Sequence, residues 1–136
     1  MTTTTAAFEW PIRVYYEDTD AQGVVYYANY FRFMERARTE WLRSLGVNQE
    51  HMLKVERRLF VVVRIEVDFV APAKFNDELI VTARLARLSR ATFDIEQDVY
   101  CDGVLCCRGK VQAAYLNADS LKPLRVPKTL FEESKL

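Results

Sequence analysis

The 136 residues contain only four glycines, four prolines, three cysteines and one histidine. With so little glycine and proline, no stretch reads as a linker, and no internal repeat is present. Cys101, Cys106 and Cys107 are odd in number and lack a Cys-x-x-Cys spacing. Without that spacing, and with only one histidine in the chain to complete a site, the pattern does not point to zinc, and no metal is expected. All three lie in strand-like sequence, where a free thiol behaves as a small buried hydrophobe; they are read as unpaired, in a reducing compartment. A Ser-His-Asp triad would have only His51 to draw on, and His51 sits in a polar, weakly patterned stretch.

Charge of one sign is missing too. Lysine plus arginine equals aspartate plus glutamate at 19 each, so no overall field attracts nucleic acid or an anionic membrane, and nucleic acid is discounted as a partner. No apolar run approaches the roughly 20 residues that span a bilayer; Leu59 to Val63 is closed off by Arg58 and Arg64. No membrane insertion is expected. The opening Met-Thr-Thr-Thr-Thr-Ala-Ala lacks a basic start and an apolar core, so it reads as a polar tail over residues 1–7, and the expected location is cytoplasmic.

Half of the residues are apolar, and the length suits one domain with one core over 1–136. Trp10 to Tyr16 is rich in aromatic and β-branched residues and reads as a first strand, with Pro11 near its start. A helix is predicted from about Tyr26, with apolar positions at Tyr27, Tyr30, Phe31, Met34, Ala37, Trp41 and Leu45, and Gly46 as its C-terminal cap. Tyr26 and Phe33 make its first half apolar on nearly every side, which calls for cover on more than one face. Asn48 to Arg57 reads as a short helix or an irregular connection.

From Leu59 the period changes to two. Ile65, Val67 and Phe69 alternate with Arg64, Glu66 and Asp68, as in a half-buried strand. Leu79 to Leu88, the region of Phe93 to Val99, and Val104 to Leu116 supply three more strands. They are separated by a Ser89–Ala91 turn and an Asp102-Gly103 hairpin. The tail with Pro123 and Pro127 reads mostly as loop. Strands of about ten residues rise ~33 Å and a helix of about twenty spans ~30 Å, so sheet and helix match in length. The expected fold is α+β, an antiparallel sheet wrapped around a long central helix. Because one sheet face has no helix over it, pairing with a second copy is expected.

The strand and the helix are joined by an acidic loop, Tyr-Tyr-Glu-Asp-Thr-Asp-Ala-Gln-Gly-Val-Val-Tyr-Tyr from Tyr15 to Tyr27. Glu17, Asp18 and Asp20 fall just before the helix, whose positive end favours carboxylates. Gly23 readily supplies a positive φ or a close backbone approach. Read by its residue type alone, Asp20 is either a loop or capping carboxylate, or a nucleophile or general base that works with a donor at the helix start.

This loop, continued through Ala28-Asn29-Tyr30 and Glu35-Arg36-Ala37-Arg38-Thr39-Glu40, resembles the hotdog-fold acyl-CoA thioesterases. The resemblance is to the YbgC type, associated with the Tol-Pal envelope system and related to 4-hydroxybenzoyl-CoA thioesterases. It continues through Phe60-Val61-Val62-Val63-Arg64, Ala71-Pro72-Ala73, Asp77, and Asp119 to Pro127, and so covers nearly the whole chain. It implies a hotdog fold and hydrolysis of acyl-CoA to free acid and CoA. Asp20 is the implied catalytic carboxylate, and the backbone N–H of Tyr27 polarises the carbonyl. The YbgC type usually carries histidine where this chain has Tyr27, whereas the hydroxybenzoyl branch carries tyrosine; a backbone donor survives that change.

The resemblance further implies substrate contacts at Gly23, Val24 and Asn29, with CoA contacts from Arg87, Arg90 and Thr92, often shared across subunits. For those last three the residue types fit phosphates equally well as a solvated turn. No cofactor is implied, since CoA is part of the substrate, and a homotetramer built as a dimer of dimers is expected. A second function class stays open: a non-catalytic or acyl-carrier-protein-binding module in phospholipid or envelope metabolism. A hydratase of the same fold would ordinarily need a catalytic histidine, which the placement of His51 argues against.

Overall fold

The computed structural model describes residues 7–135; the tail expected over 1–7 lies, apart from Ala7, outside the described residues. In chain order the elements are β1 (Phe8–Arg13), a 3-10 turn (Tyr16–Asp18), α1 (Tyr27–Ser44) and α2 (Gln49–His51), which runs into a π-helical turn (Met52–Glu56). Then follow β2 (Arg58–Phe69), β3 (Glu78–Leu88), β4 (Thr92–Cys101), β5 (Val104–Asn117) and a 3-10 segment (Lys128–Lys135). The strands form one antiparallel sheet in the order β1-β3-β4-β5-β2, and α1 packs on its inner side. This is the hotdog arrangement expected from the sequence.

The first strand lies earlier than the Trp10 to Tyr16 expected. It ends at Arg13 because the chain beyond it is committed to other bonds. Val14 N–H donates to Asp77 C=O at 2.9 Å, and the Tyr15 amide donates to the Asp18 carboxylate at 2.8 Å. At its other end α1 stops where Gly46 takes φ +91°. Val47 N–H then reaches Leu42 C=O and Gly46 N–H reaches Arg43 C=O, both at 3.0 Å, which satisfies carbonyls that the helix itself leaves open. Asp102 and Gly103 both have positive φ and close the β4–β5 hairpin as their sequence requires.

The buried apolar stripe of α1 is Tyr30, Phe33, Met34, Ala37, Trp41 and Leu42. Phe33 and Met34 are wholly inaccessible, a burial worth roughly 1.5–3 kcal/mol for each side chain. Tyr26 and Tyr27 depart from the expected all-round burial: they are 46% and 56% exposed, at the very start of α1. At the opposite end the tail is more than loop, since Val126 and Phe131 are buried and the Phe131 ring stacks on Trp41 with centroids 5.6 Å apart.

Gln97, with no exposed surface, ties the middle of α1 to the sheet. Its amide donates to Met34 C=O at 3.0 Å and Thr82 C=O at 3.2 Å, and its carbonyl accepts from Arg38 at 3.0 Å. Burial pulls the Arg38 guanidinium below its usual pKa. Beside this network Gly109 leaves no room for a side chain, because a Cβ there would lie 2.9 Å from Met34 Cε and 3.1 Å from Gln97 C=O.

The outer face of the sheet, which no helix covers, carries ion pairs between and along strands: Arg84 with Glu96, Arg108 with Asp98 at 3.8 Å and Arg64 with Glu66 at 3.2 Å. Cys106 and Cys107 are buried, Cys101 is half-buried, and all three are free. Among the described residues no helix is long and apolar enough to cross a membrane.

Candidate active site

The acidic loop folds into a tight hairpin at the foot of α1. Asp20 N–H donates to Val24 C=O at 2.8 Å and Gly23 N–H to Asp20 C=O at 3.0 Å, while the Gln22 amide donates to Asp20 Oδ1 at 2.8 Å. Gly23 has φ +82°, and a Cβ placed on it would meet nothing within 4 Å. The positive φ expected of this glycine is present, with no other protein segment packed against it. One Asp20 oxygen is thus held by its own turn; the other has no partner among the described residues. The side chain is half-buried, open enough to reach a ligand.

Asp18 is built differently. It is 7% exposed, and both carboxylate oxygens are taken: Oδ2 accepts from Tyr15 N–H and Oδ1 from the Asn29 amide, each at 2.8 Å. Its backbone carbonyl also accepts Tyr26 N–H at 2.8 Å. Asp18 therefore fastens the loop to the first turn of α1, and Asn29, itself buried, spends its side-chain donor on that fastening. Val25 N–H to Ala73 C=O at 2.8 Å and a backbone bridge between Val24 and Lys74 tie the other limb of the hairpin to the β2–β3 connection.

Tyr27 opens α1, and no side chain caps that end. Neither the Tyr27 nor the Ala28 amide has an acceptor among the described residues, whereas Asn29 N–H turns back to Tyr26 C=O at 2.8 Å. Two free N–H groups at the positive end of an 18-residue helix form a donor pair suited to an oxygen that gains negative charge. Around them stand aromatic rings: Tyr26 against Tyr27 at 4.9 Å, Phe69 edge-on to Tyr27 at 6.2 Å, and Phe69 against Tyr30 at 5.8 Å. The Tyr30 hydroxyl accepts Ala73 N–H at 3.1 Å, and burial pushes its pKa up to about 12.

Sequence reasoning placed Phe69 in the alternating pattern of a strand. The structure leaves it 50% exposed at the end of β2, next to the helix start. Only the tertiary fold brings these two segments together, so nothing local marks the residue.

Arg87, Arg90 and Thr92 lie around the β3–β4 turn, where Ser89 N–H donates to Thr92 C=O at 2.9 Å. The hairpin with Asp20 lies by the start of β3 and this turn at its end, so the eleven residues of β3 separate them by about 33 Å. Within one chain these candidate residues are not brought together. The Arg87 and Arg90 side chains have no ion pair among the described residues.

A model of the thioesterase-like superfamily matches residues 14–133. The chain is 40% identical to the acyl-CoA thioesterase YbgC of Haemophilus influenzae over 121 residues, covering 89% of each chain. It is 37% identical to the acyl-CoA thioester hydrolase YbgC of Escherichia coli O6:H1 over 132 residues, covering 96% of this chain and 98% of that one. Its fold superposes on the crystal structure of a probable thioesterase from Bartonella henselae with a TM-score of 0.85 and 38% identity, over 90% of this chain and 100% of that chain. With the family model spanning nearly all of the described chain, this protein belongs to the thioesterase-like superfamily.

Proposed function

We propose that the protein hydrolyses acyl-CoA thioesters, with Asp20 as nucleophile or general base and the backbone N–H of Tyr27 as the donor to the thioester carbonyl. The observation that carries this reading is the contrast between two carboxylates two residues apart. Asp18 is buried with both oxygens bonded, whereas Asp20 keeps one oxygen free beside a helix start with unbonded amides. In the general-base route, Asp20 takes a proton from water as the water oxygen bonds to the carbonyl carbon. The carbonyl oxygen gains charge against the Tyr27 amide, and collapse expels the CoA thiolate, which the proton neutralises. In the nucleophilic route an Asp20 oxygen bonds to that carbon first and the carbon–sulfur bond breaks, releasing CoA thiolate. Water then cleaves the mixed anhydride to the free acid and the Asp20 carboxylate, and its spare proton neutralises the thiolate.

The relatives carry acyl-CoA hydrolase in their names, which supports the same substrate class here. Gly23 and Val24 shape the hairpin wall against which the acyl thioester lies, and Asn29 acts by holding Asp18. A panel of alkyl and aryl thioesters, on CoA and on acyl carrier protein, scored for released thiol, tests the reading. Turnover of at least one CoA ester, lost in Asp20→Asn, is the expected result. Tight binding of carrier protein with no thiol released from any ester would favour the non-catalytic module.

The working unit is a homo-oligomer. The β1 edge of the sheet is six residues long and carries Pro11, which blunts it, while the β2 edge is twelve residues long with no proline. Leu59 to Val63 form an apolar run along it, broken by one bulge at Val63. An open edge of that kind favours strand pairing with a second copy. A neighbouring subunit is also the means by which Arg87, Arg90 and Thr92 would approach a CoA bound at Asp20. Two such dimers give the expected tetramer, acting in the cytoplasm and serving the cell envelope.

A further inference from the structure

Asp20 and the Tyr27 amide sit on different elements, so a reaction that uses both depends on what holds the hairpin to α1. One tie, from Asn29 to Asp18, grips the limb that leads into Asp20. The limb that leads away is gripped separately. Val25 bridges Thr19 across the hairpin, and Val24 bridges Lys74 on its other side; Val25 N–H also donates to Ala73 C=O at 2.8 Å. Ala73 and Lys74 thus run beside the hairpin as a strut from the β2–β3 connection.

Both amides of that strut are taken by side chains. Ala73 N–H donates to the Tyr30 hydroxyl at 3.1 Å, and Lys74 N–H donates to Asp77 Oδ2 at 2.8 Å. Ala73 is wholly inaccessible and Tyr30 is 4% exposed, so water has no easy way to replace the phenol as acceptor. Tyr30 stands three residues after Tyr27 on α1, less than one turn along the helix. The path from donor to carboxylate is therefore short, running from α1 through the Tyr30 hydroxyl, Ala73, Val25 and Thr19 to Asp20. Asp77 fastens the strut to the residue that follows β1: its C=O accepts Val14 N–H, and Asn76 N–H reaches Val14 C=O, both at 2.9 Å.

We propose that Tyr30 and Asp77 are positioning residues, which hold the Ala73–Lys74 strut so that Asp20 keeps its place relative to the Tyr27 amide. This rests on the thioesterase reading. Neither side chain takes part in the chemistry; each acts through the backbone of the strut. A shift of about 1 Å between reacting groups can cost ~10²-fold in rate.

Tyr30→Phe removes only the hydroxyl, and kcat on a CoA ester should fall about ten-fold with KM kept. Asp77→Ala should act likewise, and Asp77→Asn, which retains an acceptor oxygen for Lys74 N–H, should recover most of the rate. On the residual rate of Asp20→Asn, Tyr30→Phe should have no further effect, although it still lowers the melting temperature. A loss of the same factor in that background would mean that Tyr30 serves the fold at large, and would overturn the proposal. Asp77→Asn no faster than Asp77→Ala would strike Asp77 from it.

Amide hydrogen exchange gives a readout that needs no turnover. In Tyr30→Phe the amides of Asp20, Gly23 and Val25 should exchange faster, while Tyr26 N–H, held by Asp18 C=O, should keep its rate. Unchanged hairpin exchange would overturn the strut even in an active enzyme. Faster exchange in a protein that hydrolyses no thioester would leave the strut standing and remove the thioesterase reading.

Discussion

Asn29 Nδ2 donates to Asp18 Oδ1 at 2.8 Å inside the protein, so the first turn of α1 and the loop that precedes it are joined by one buried hydrogen bond. Asp20, two residues on, inherits its position from that bond.

Asp20→Asn keeps the shape of the side chain and removes its charge. We expect kcat on the best CoA ester to fall ~10²-fold or more, the scale of a general base, with the melting temperature unchanged. Asp18→Asn should act on folding: one of its two bonded oxygens becomes an NH2 facing a donor, and a buried group left unsatisfied costs about 1–3 kcal/mol. Thermal melts alongside kinetics separate the two. A full-activity Asp20→Asn would move the chemistry elsewhere.

Arg90→Ala should raise KM for acyl-CoA more than it lowers kcat, as when a phosphate contact contributes equally to ground state and transition state. Because Arg90 lies a strand length from Asp20 on its own chain, the effect should require the oligomer. An unchanged KM would return the β3–β4 turn to solvent.

Val63→Lys places a charge on a bulge residue already 55% exposed, so the fold should tolerate it. If β2 pairs with a second copy, light scattering should show smaller species, and activity should fall with the loss of assembly. An unaltered particle mass would clear β2 of that role.

Gly109→Ala should destabilise the protein by roughly 1–3 kcal/mol, the usual cost of overpacking. The new methyl meets Met34 Cε and, less yieldingly, the backbone carbonyl of Gln97. Chemical denaturation would measure the loss, and Met34→Leu in the same chain should recover part of it.

Tyr30 provides a pH signature. Its pKa rises from 10.0 to about 12 in the folded protein because burial disfavours the phenolate. The folded state therefore keeps a proton that the unfolded chain has lost. Stability is full below pH 10 and falls as pH rises from 10 to 12. In an absorbance titration Tyr30 should contribute a late phase near pH 12, and Tyr30→Phe should remove it.

Much of this architecture is legible in the sequence because period and punctuation agree. The alternation after Leu59, the Asp102-Gly103 pair and the glycine after α1 each admit few local structures. The limits are where tertiary contacts decide. The Asp18 carboxylate draws Tyr15 out of the first strand, and Trp41 gives Phe131 a partner that no local pattern reveals. The uncovered sheet face had suggested a second copy by its bareness alone. On this chain it carries ion pairs, and the β2 edge adds a second reason to expect a neighbour.

The hairpin around Asp20 is held by backbone atoms, with Ala21 and Gln22 contributing no side chain and both exposed. Its geometry is therefore nearly independent of spelling at those two positions, and a library randomised there should yield mostly active clones. The exceptions can be named in advance: proline at 22 deletes the amide that holds Asp20 Oδ1, and any β-branched residue at 23 resists the φ that closes the turn. Variation at 21 and 22 is thus a route to altering what approaches Asp20 without moving it.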